Sequence, residues 1–280
     1  MAGIQVAEFP LDETVRRIGL LKEFLPQIGD DLLTFQDEVF IDRSSSEDED
    51  LALMKKADRF VEKELLGFLR STFFEDEIYS EEEGELGEKG DFQWWIDPVD
   101  GTRNFIHGLP HFCIAAGLCY REDPVAGIVF APALSSLYHA VKGSGAFRNE
   151  NPIQVSRVPN IKRALISSGL PYERRPILSS IMANISAFIG AGAGLRRTGS
   201  TSLDLCWIAE GRFDAMWERG ISPWDVCAAS VIVREAGGLL SDFSGRSFYL
   251  QSAELVASNE ILHEEVVETL RKAQGLEGMN

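Results

Sequence analysis

The chain has 280 residues, of which 45% are hydrophobic, so it can bury a large core in one compact unit or two tightly packed lobes. Its 27 Lys and Arg residues against 44 Asp and Glu residues give a net charge of −17, which excludes a broad basic surface for binding nucleic acid or anionic lipid. The sequence lacks any stretch of roughly 18 apolar residues, so a membrane span is not expected.

The N-terminus and the cysteines predict a cytoplasmic protein. The N-terminal segment has neither the basic region nor the apolar region of a signal peptide. The cysteines lie in apolar runs without a C-x-x-C pair, which favours reduced thiols in the core. They are Cys113, Cys119, Cys206 and Cys227. An anionic substrate would need local positive charge on so acidic a protein, and bound divalent cations can supply it.

Helical periodicity dominates the first part of the chain. Apolar positions at helical spacing predict a long helix over residues 11–38 and a second helix over 51–74, with Asp58 on an inner turn of the second. The polar, acidic run at 44–50 between them predicts a surface loop.

Strands follow the second helix. A short strand-like step at 78–80 precedes an acidic stretch at 81–91, and the apolar run 92–96 predicts a buried strand that ends at Asp97-Pro98. Turn signals between short apolar runs predict an antiparallel meander over residues 111–156.

Strands and helices alternate in the second half, which implies layered sheets and helices. The predicted strands are 164–168, 195–198, 213–218 and 239–243, and the predicted helices are 176–189, 201–210 and 225–236, with a glycine-rich connection at 190–194.

The sequence D-P-V-D-G-T at residues 97–102 carries the strongest chemical signal. The strand delivers Asp97 to its end, Pro98 stops the strand, and Asp100 follows on the same tight bend. Two such carboxylates repel each other unless a cation lies between them, and hard oxygen donors favour magnesium, calcium or manganese. A helix that starts at Gly101-Thr102 would point backbone N–H groups at an anion. An ordinary turn is the alternative, because Asp, Pro and Gly all favour turns.

Two further acidic signals flank this motif in the sequence. Asp225 follows Pro223-Trp224 where a helix begins, so it either caps that helix or joins the acidic cluster from the other half of the chain. The glutamates that begin with Glu81 are either solvated surface charge or the source of one metal ligand.

Together these residues resemble the inositol monophosphatase family of magnesium-dependent, lithium-sensitive phosphatases. Three blocks carry the resemblance in order, namely Glu81-Glu82, residues 97–105, and Trp224-Asp225 leading into 235–238. The resemblance implies a layered α/β sandwich (αβαβα) with the sugar-phosphatase fold and mixed and antiparallel sheets. It also implies an N-terminal α+β lobe at 1–155, a C-terminal α/β lobe at 156–280, and a homodimer.

The resemblance further implies a site for Mg²⁺ between the lobes. One ion would be held by Glu81, Asp97 and the backbone carbonyl of Val99, and a second by Asp97, Asp100 and Asp225. Many family members carry a threonine-rich stretch and a lysine where this chain has Lys55-Lys56-Ala57 and an acidic run. The resemblance therefore implies two Mg²⁺ ions and leaves open whether a third binds.

Catalytic and substrate roles follow from the same resemblance. Glu81 and Thr102 would activate the attacking water, with Asp58 supporting Thr102, although Asp58 is alternatively a solvated helix acid. The implied substrate-binding residues are Asp100, Gly101, Thr102, Gly199, Ser200, Thr201, Glu218 and Asp225. An ordinary helix-start turn at 199–201 and a strand-end charge at Glu218 are the alternatives. The histidines lack metal-ligand spacing and are interpreted as structural, namely His107, His111, His139 and His263.

The function implied is Mg²⁺-dependent hydrolysis of a myo-inositol monophosphate by in-line attack of a metal-activated water. Alternatives within the wider superfamily are fructose 1,6-bisphosphatase, histidinol phosphatase and the phosphatase acting on adenosine 3′,5′-bisphosphate. A non-catalytic regulator that keeps the fold and binds a protein partner is the alternative from another class. The net charge of −17 disfavours direct binding to RNA in either case.

Overall fold

The computed structural model describes residues 9–39, 46–170 and 177–275. The α-helices in these ranges are α1 (Leu11–Val39), α2 (Glu47–Thr72), α3 (Thr102–Ile106), α4 (Leu178–Gly190), α5 (Thr201–Ala209), α6 (Pro223–Glu235) and α7 (His263–Ala273). The strands of the first half are β1 (Glu77–Ser80), β2 (Gly84–Leu86), β3 (Phe92–Asp100), β4 (Cys113–Tyr120), β5 (Asp123–Ala131), β6 (Ser136–Val141), β7 (Ala146–Arg148) and β8 (Asn151–Pro152). The strands of the second half are β9 (Leu165–Ser168), β10 (Gly194–Arg196), β11 (Ala215–Arg219), β12 (Gly238–Ser241) and β13 (Glu254–Asn259).

These strands form two mixed sheets. The first sheet has the order β2-β1-β3-β4-β5-β6-β7-β8, in which only the β1–β3 pair is parallel. The second has the order β10-β9-β11-β13-β12, with β9 parallel to both neighbours and β13 antiparallel to both of its own. The sheets fall on either side of residue 155, where the sequence predicts a lobe boundary, and the division into two lobes stays a prediction.

Three apolar clusters stack the elements into five layers. The first cluster packs α1 and α2 against one face of the first sheet. The second lies between the other face of that sheet, helices α5 and α6, and the second sheet. The third packs α4 and α7 on the far face of the second sheet. Residues along β4 alternate between the first two clusters, as side chains on successive strand positions must. The predicted αβαβα sandwich is therefore confirmed.

Helix α2 begins earlier than the sequence predicts. The expected surface loop at 44–50 is wrong from Ser46 onward, because Ser46 is the N-cap of α2, while residues 44 and 45 lie outside the described ranges. Backbone N–H of Glu49 donates to Ser46 Oγ at 3.3 Å, and Ser46 N–H donates to Glu49 Oε2 at 2.7 Å. This reciprocal capping box makes the polar run a helix start.

Strand β3 also departs from the prediction that Pro98 stops it. The strand continues to Asp100, with the register to β4 shifting between Asp97 and Asp100. Pro98 lies inside that irregularity, where its missing N–H breaks no regular ladder bond. Strand β13 and helix α7 were not predicted, because the last predicted strand ended at residue 243.

Two glycines let α6 lie against the first sheet. Gly117 of β4 and Gly127 of β5 are directly paired. A Cβ atom at Gly127 would lie 2.1 Å from the backbone oxygen of Ala228, and one at Gly117 would lie 2.4 Å from Cys227 Sγ. Only hydrogen fits at these positions, so the glycine pair sets the distance between α6 and the sheet. In the described ranges, helices that combine the length and apolar character needed to cross a bilayer do not occur.

We predict that Gly127→Ala destabilises the protein by about 1–3 kcal/mol or more, because the added methyl group collides with helix backbone that cannot rotate away. Denaturant unfolding measures this change. The control is Gly67→Ala on the exposed side of α2, where a Cβ meets no atom within 4 Å and should be neutral or stabilising. An unchanged unfolding midpoint for Gly127→Ala would show that α6 is free to shift.

Candidate active site

Acidic side chains from both halves of the chain line one cavity of about 190 Å³. Those from the first half are Glu81, Asp97 and Asp100, and those from the second half are Asp204, Glu218 and Asp225. Glu81 directly follows β1, Asp97 and Asp100 end β3, and Asp225 lies in the first turn of α6. The fold thus brings Asp225 to the same cavity as the D-P-V-D-G-T motif.

Asp97 is almost fully buried, with 3% of its surface exposed. Its Oδ1 atom is buried without a hydrogen-bond partner. Burial, together with the negative charges of Asp100 and Glu81, raises the pKa of Asp97 well above its ordinary value. A buried carboxylate oxygen that accepts no hydrogen bond is destabilised unless it binds a proton or a cation.

Asp100 is held by the start of α5. Ser200 Oγ donates to Asp100 Oδ2 at 2.8 Å, and the backbone N–H of Ser202 donates to the same oxygen at 2.6 Å. Burial raises the pKa of Asp100 to about 6, while these two hydrogen bonds act in the opposite direction. Ser200, predicted as a substrate residue, is therefore the N-cap of α5 and a support for Asp100.

Asp225 is not the cap of α6, as one sequence alternative had it. The N-cap is Ser222, followed by Pro223, and Asp225 occupies the third helical position. Backbone N–H of Ser222 donates to Asp225 Oδ2 at 2.8 Å. Burial is the largest cause that raises the pKa of Asp225 to about 8, and the charges of Asp100 and Glu81 add to it.

Glu81 keeps contact with solvent inside the cavity, although surrounding protein atoms and the charge of Asp100 raise its pKa to about 7. Its backbone N–H donates to the carbonyl of Ile96 at 3.3 Å, which ties the end of β1 to β3. Glu81 therefore lines the same cavity as the D-P-V-D-G-T motif, from the end of the neighbouring strand.

The turn after β3 depends on a glycine. Gly101 has φ +94°, and a Cβ there would lie 2.9 Å from the carbonyl oxygen of His111. The next residue, Thr102, starts α3, and its Oγ1 donates to the carbonyl of Val99 at 3.1 Å. In this arrangement the Thr102 hydroxyl and the Val99 carbonyl, two groups with predicted roles, bind each other.

Asp58 is buried on α2, and its Oδ1 has no hydrogen-bond partner. Burial, followed by the charge of Glu81, raises its pKa to about 8. Asp58 lines a second cavity, of about 490 Å³, that shares Glu81 and Thr102 with the first. Asp58 and Thr102 thus face one space, but the Thr102 hydroxyl donates to Val99 and not to Asp58.

The remaining predicted substrate residues also line the first cavity. Thr201 Oγ1 donates to Glu218 Oε2 at 2.8 Å, so these two side chains form a unit. Burial raises the pKa of Glu218 to about 8. Gly169 passes so close to Glu218 that a Cβ would fall 1.8 Å from its carboxyl carbon. Gly199, with φ +98°, lines the same cavity.

The donor set fits a hard cation, although the side chains are not gathered around one point. Within the described residues, no group of three or more His, Cys, Asp or Glu side chains is arranged to hold a metal ion. Asp100 and Asp225 instead turn one oxygen each to protein N–H or O–H donors. The partnerless oxygen of Asp97 and the all-oxygen composition suit Mg²⁺, which binds through few carboxylates and keeps several waters.

Asp204 was missed by the sequence analysis. It is buried, lines the first cavity, and accepts hydrogen bonds from His111 Nε2 at 2.9 Å and from Thr198 Oγ1. Its only local signal is an acid in the first turn of a helix. His111, interpreted as structural, packs edge-to-face against Trp207, with the ring centroids 4.6 Å apart.

Comparisons with known proteins identify the family. The model of the inositol monophosphatase family matches residues 29–275. The chain is 36% identical to the Nus factor SuhB of Haemophilus influenzae over 221 residues, 79% of this chain and 83% of the relative. It is 37% identical to the inositol-1-monophosphatase of Synechocystis over 219 residues, 78% of this chain and 76% of that one.

A solved structure agrees with both sequence comparisons. The inositol monophosphatase from Anabaena superposes with a TM-score of 0.76 at 32% identity, covering 90% of this chain and 96% of that structure. The chain belongs to the inositol monophosphatase family, and the resemblance drawn from its motifs is confirmed. The family is generally Mg²⁺-dependent.

We predict that in a chelator the stability of the parent falls as pH rises from about 4 to about 8. Glu218 contributes to this fall because its pKa is about 8 when folded and about 4.3 when unfolded, so the unfolded chain releases this proton first. Glu218→Gln should therefore lose less stability over the same range in thermal unfolding. The exposed Glu264→Gln is the control, and a Glu218→Gln profile parallel to the parent's would contradict the prediction.

Proposed function

We propose that this protein is a Mg²⁺-dependent phosphatase that hydrolyses phosphate monoesters of small polyols or sugars, with myo-inositol monophosphate as the leading substrate. The observation that carries the proposal is the meeting of Asp97, Asp100 and Asp225, from both halves of the chain, at one cavity. Their raised pKa values mark a site that favours a positive partner. Fructose bisphosphate, histidinol phosphate and adenosine 3′,5′-bisphosphate remain alternative substrates.

The proposed ligand set uses oxygen atoms only. Glu81, Asp97 and the Val99 carbonyl would hold one Mg²⁺, and Asp97, Asp100 and Asp225 a second, while a third ion stays open. When bound, Mg²⁺ lowers the pKa of water and neutralises charge on the phosphoryl oxygens. The chain's own contribution is to keep mutually repelling carboxylates at fixed positions on the ends of β1, β3 and α6.

The remaining roles belong to residues around this centre. Glu81 would accept a proton from the attacking water and the Thr102 hydroxyl would help to orient that water, with Asp58 as support across the second cavity. Backbone N–H groups of Gly101 and Thr102 bind phosphate oxygens. Glu218 can accept a hydrogen bond from a substrate hydroxyl, and Thr201 Oγ1 holds its carboxyl group by donating to Oε2.

A second candidate function comes from the relative named Nus factor SuhB. This chain would then act, alone or in addition to hydrolysis, by binding a protein partner. The retained acids at 81, 97, 100 and 225 support catalysis, because a purely binding role does not need them. The net charge of −17 disfavours direct nucleic acid contact over a broad surface. Homodimer formation, lithium sensitivity and cytoplasmic location stay predictions.

We predict that the parent releases phosphate from at least one of inositol, fructose, histidinol or nucleotide phosphates only when Mg²⁺ is present. Asp100→Asn should lower this activity more than about a hundredfold, because the amide removes a charged ligand. Phosphate release across the panel, with Mg²⁺ and with chelator, measures both effects. Asn keeps an oxygen acceptor for Ser200 and Ser202, so the fold should persist.

The control is Asp123→Asn, which alters an exposed ion pair with Lys142; neither residue lines the cavity, so turnover should be unchanged. Undiminished turnover after chelation would contradict the metal mechanism. A folded parent that is inactive on the whole panel would instead favour the partner-binding role.

A further inference from the structure

Glu62 is a buried carboxylate on α2 that binds the segment carrying Glu81. Only 2% of its surface is exposed. Its Oε1 accepts hydrogen bonds from Ser80 Oγ and from the backbone N–H of Glu83, the latter at 3.1 Å. One oxygen atom of α2 therefore joins the end of β1 to the turn that follows it.

The two donors stand on either side of Glu81. Ser80 precedes it and Glu83 follows two residues later, while the N–H of Glu81 itself is held by the Ile96 carbonyl. Three hydrogen bonds thus restrain residues 80–83, the segment from which the Glu81 side chain lines the cavity. Since side chains on turns are otherwise free to move, these restraints fix where the Glu81 carboxylate can reach.

Electrostatics argue that this contact serves more than stability. The charge of Glu62 adds to the repulsion felt by both Asp58 and Glu81, although burial is the larger influence on each. A neutral acceptor would bind the same two donors without that repulsion. A buried carboxylate here adds to the negative charge around the cavity, and a bound cation would offset that charge.

We propose that Glu62 is a positioning residue that holds Glu81 in place for cation binding. Glu62 acts through Ser80 and Glu83 and does not touch substrate. The inference rests on the proposed function in one respect, namely that Glu81 is a metal ligand.

Mg²⁺ binding to chelator-treated protein, measured by titration calorimetry, tests the inference without relying on turnover. Glu62→Leu removes the acceptor at similar volume and should weaken Mg²⁺ binding about 10- to 100-fold. Glu62→Gln keeps an oxygen acceptor but removes the charge, so its Mg²⁺ affinity should lie between those of Glu62→Leu and the parent. In Glu62→Leu, the Mg²⁺ concentration for half-maximal activity should rise, while KM for substrate at saturating Mg²⁺ stays unchanged.

Ser80→Ala removes one donor to Glu62 and should weaken Mg²⁺ binding severalfold. This variant tests the inference if Glu62→Leu fails to fold. Glu64→Gln, an exposed acid on the same helix, is the control and should bind like the parent. Parent-like Mg²⁺ binding in folded Glu62→Leu or in Ser80→Ala, with only thermal stability lowered, would overturn the inference. Glu81→Gln distinguishes failure of this inference from failure of the proposed function. If the proposed function is wrong, the parent and Glu81→Gln should bind Mg²⁺ equally weakly.

Discussion

Repulsion among carboxylates in a confined space is the constraint on which this molecule depends. Two unit charges about 4 Å apart interact by about 4 kcal/mol at an effective dielectric constant of 20, so several acids at one cavity oppose folding unless something compensates. Burial is the largest cause of the raised pKa values of Asp97, Asp100 and Asp225, and neighbouring negative charges add to it. The fold opposes this cost by fixing the acids on elements that pack into the apolar clusters.

The middle layer of the sandwich sets the geometry of that repulsion. Asp225 reaches the cavity because α6 lies directly on β4 and β5, and it can do so only over the hydrogen atoms of Gly117 and Gly127. Asp100 is tied to the start of α5, which donates two hydrogen bonds to its Oδ2 atom. Packing of α6 therefore fixes the position of Asp225, and hydrogen bonds from α5 fix the position of Asp100.

Local patterns in the sequence predicted what local physics controls. The layered fold was predicted from periodicity and motif resemblance. The D-P-V-D-G-T motif could be recognised because its residues are adjacent in the sequence. The start of α2 was mistaken for a loop because a Ser-x-x-Glu capping box looks like any polar run until its hydrogen bonds are seen. The roles of Asp204 and Glu62 could not be predicted, because their hydrogen-bond partners His111 and Ser80 are not their neighbours in the sequence. No pattern of single residues distinguishes a buried acid with distant partners from a solvated one.

Thr102 shows how closely the proposed roles are coupled. A hydroxyl group donates one hydrogen bond at a time, and here that bond goes to the Val99 carbonyl. A carbonyl oxygen has two lone pairs, so a cation held by Val99 would share that oxygen with Thr102 and weaken the hydrogen bond by withdrawing electron density. Asp58 faces the same cavity as Thr102 with a buried oxygen that has no partner. A bound cation at Val99 would therefore favour a turn of the Thr102 hydroxyl towards Asp58, which would couple α2 to the end of β3.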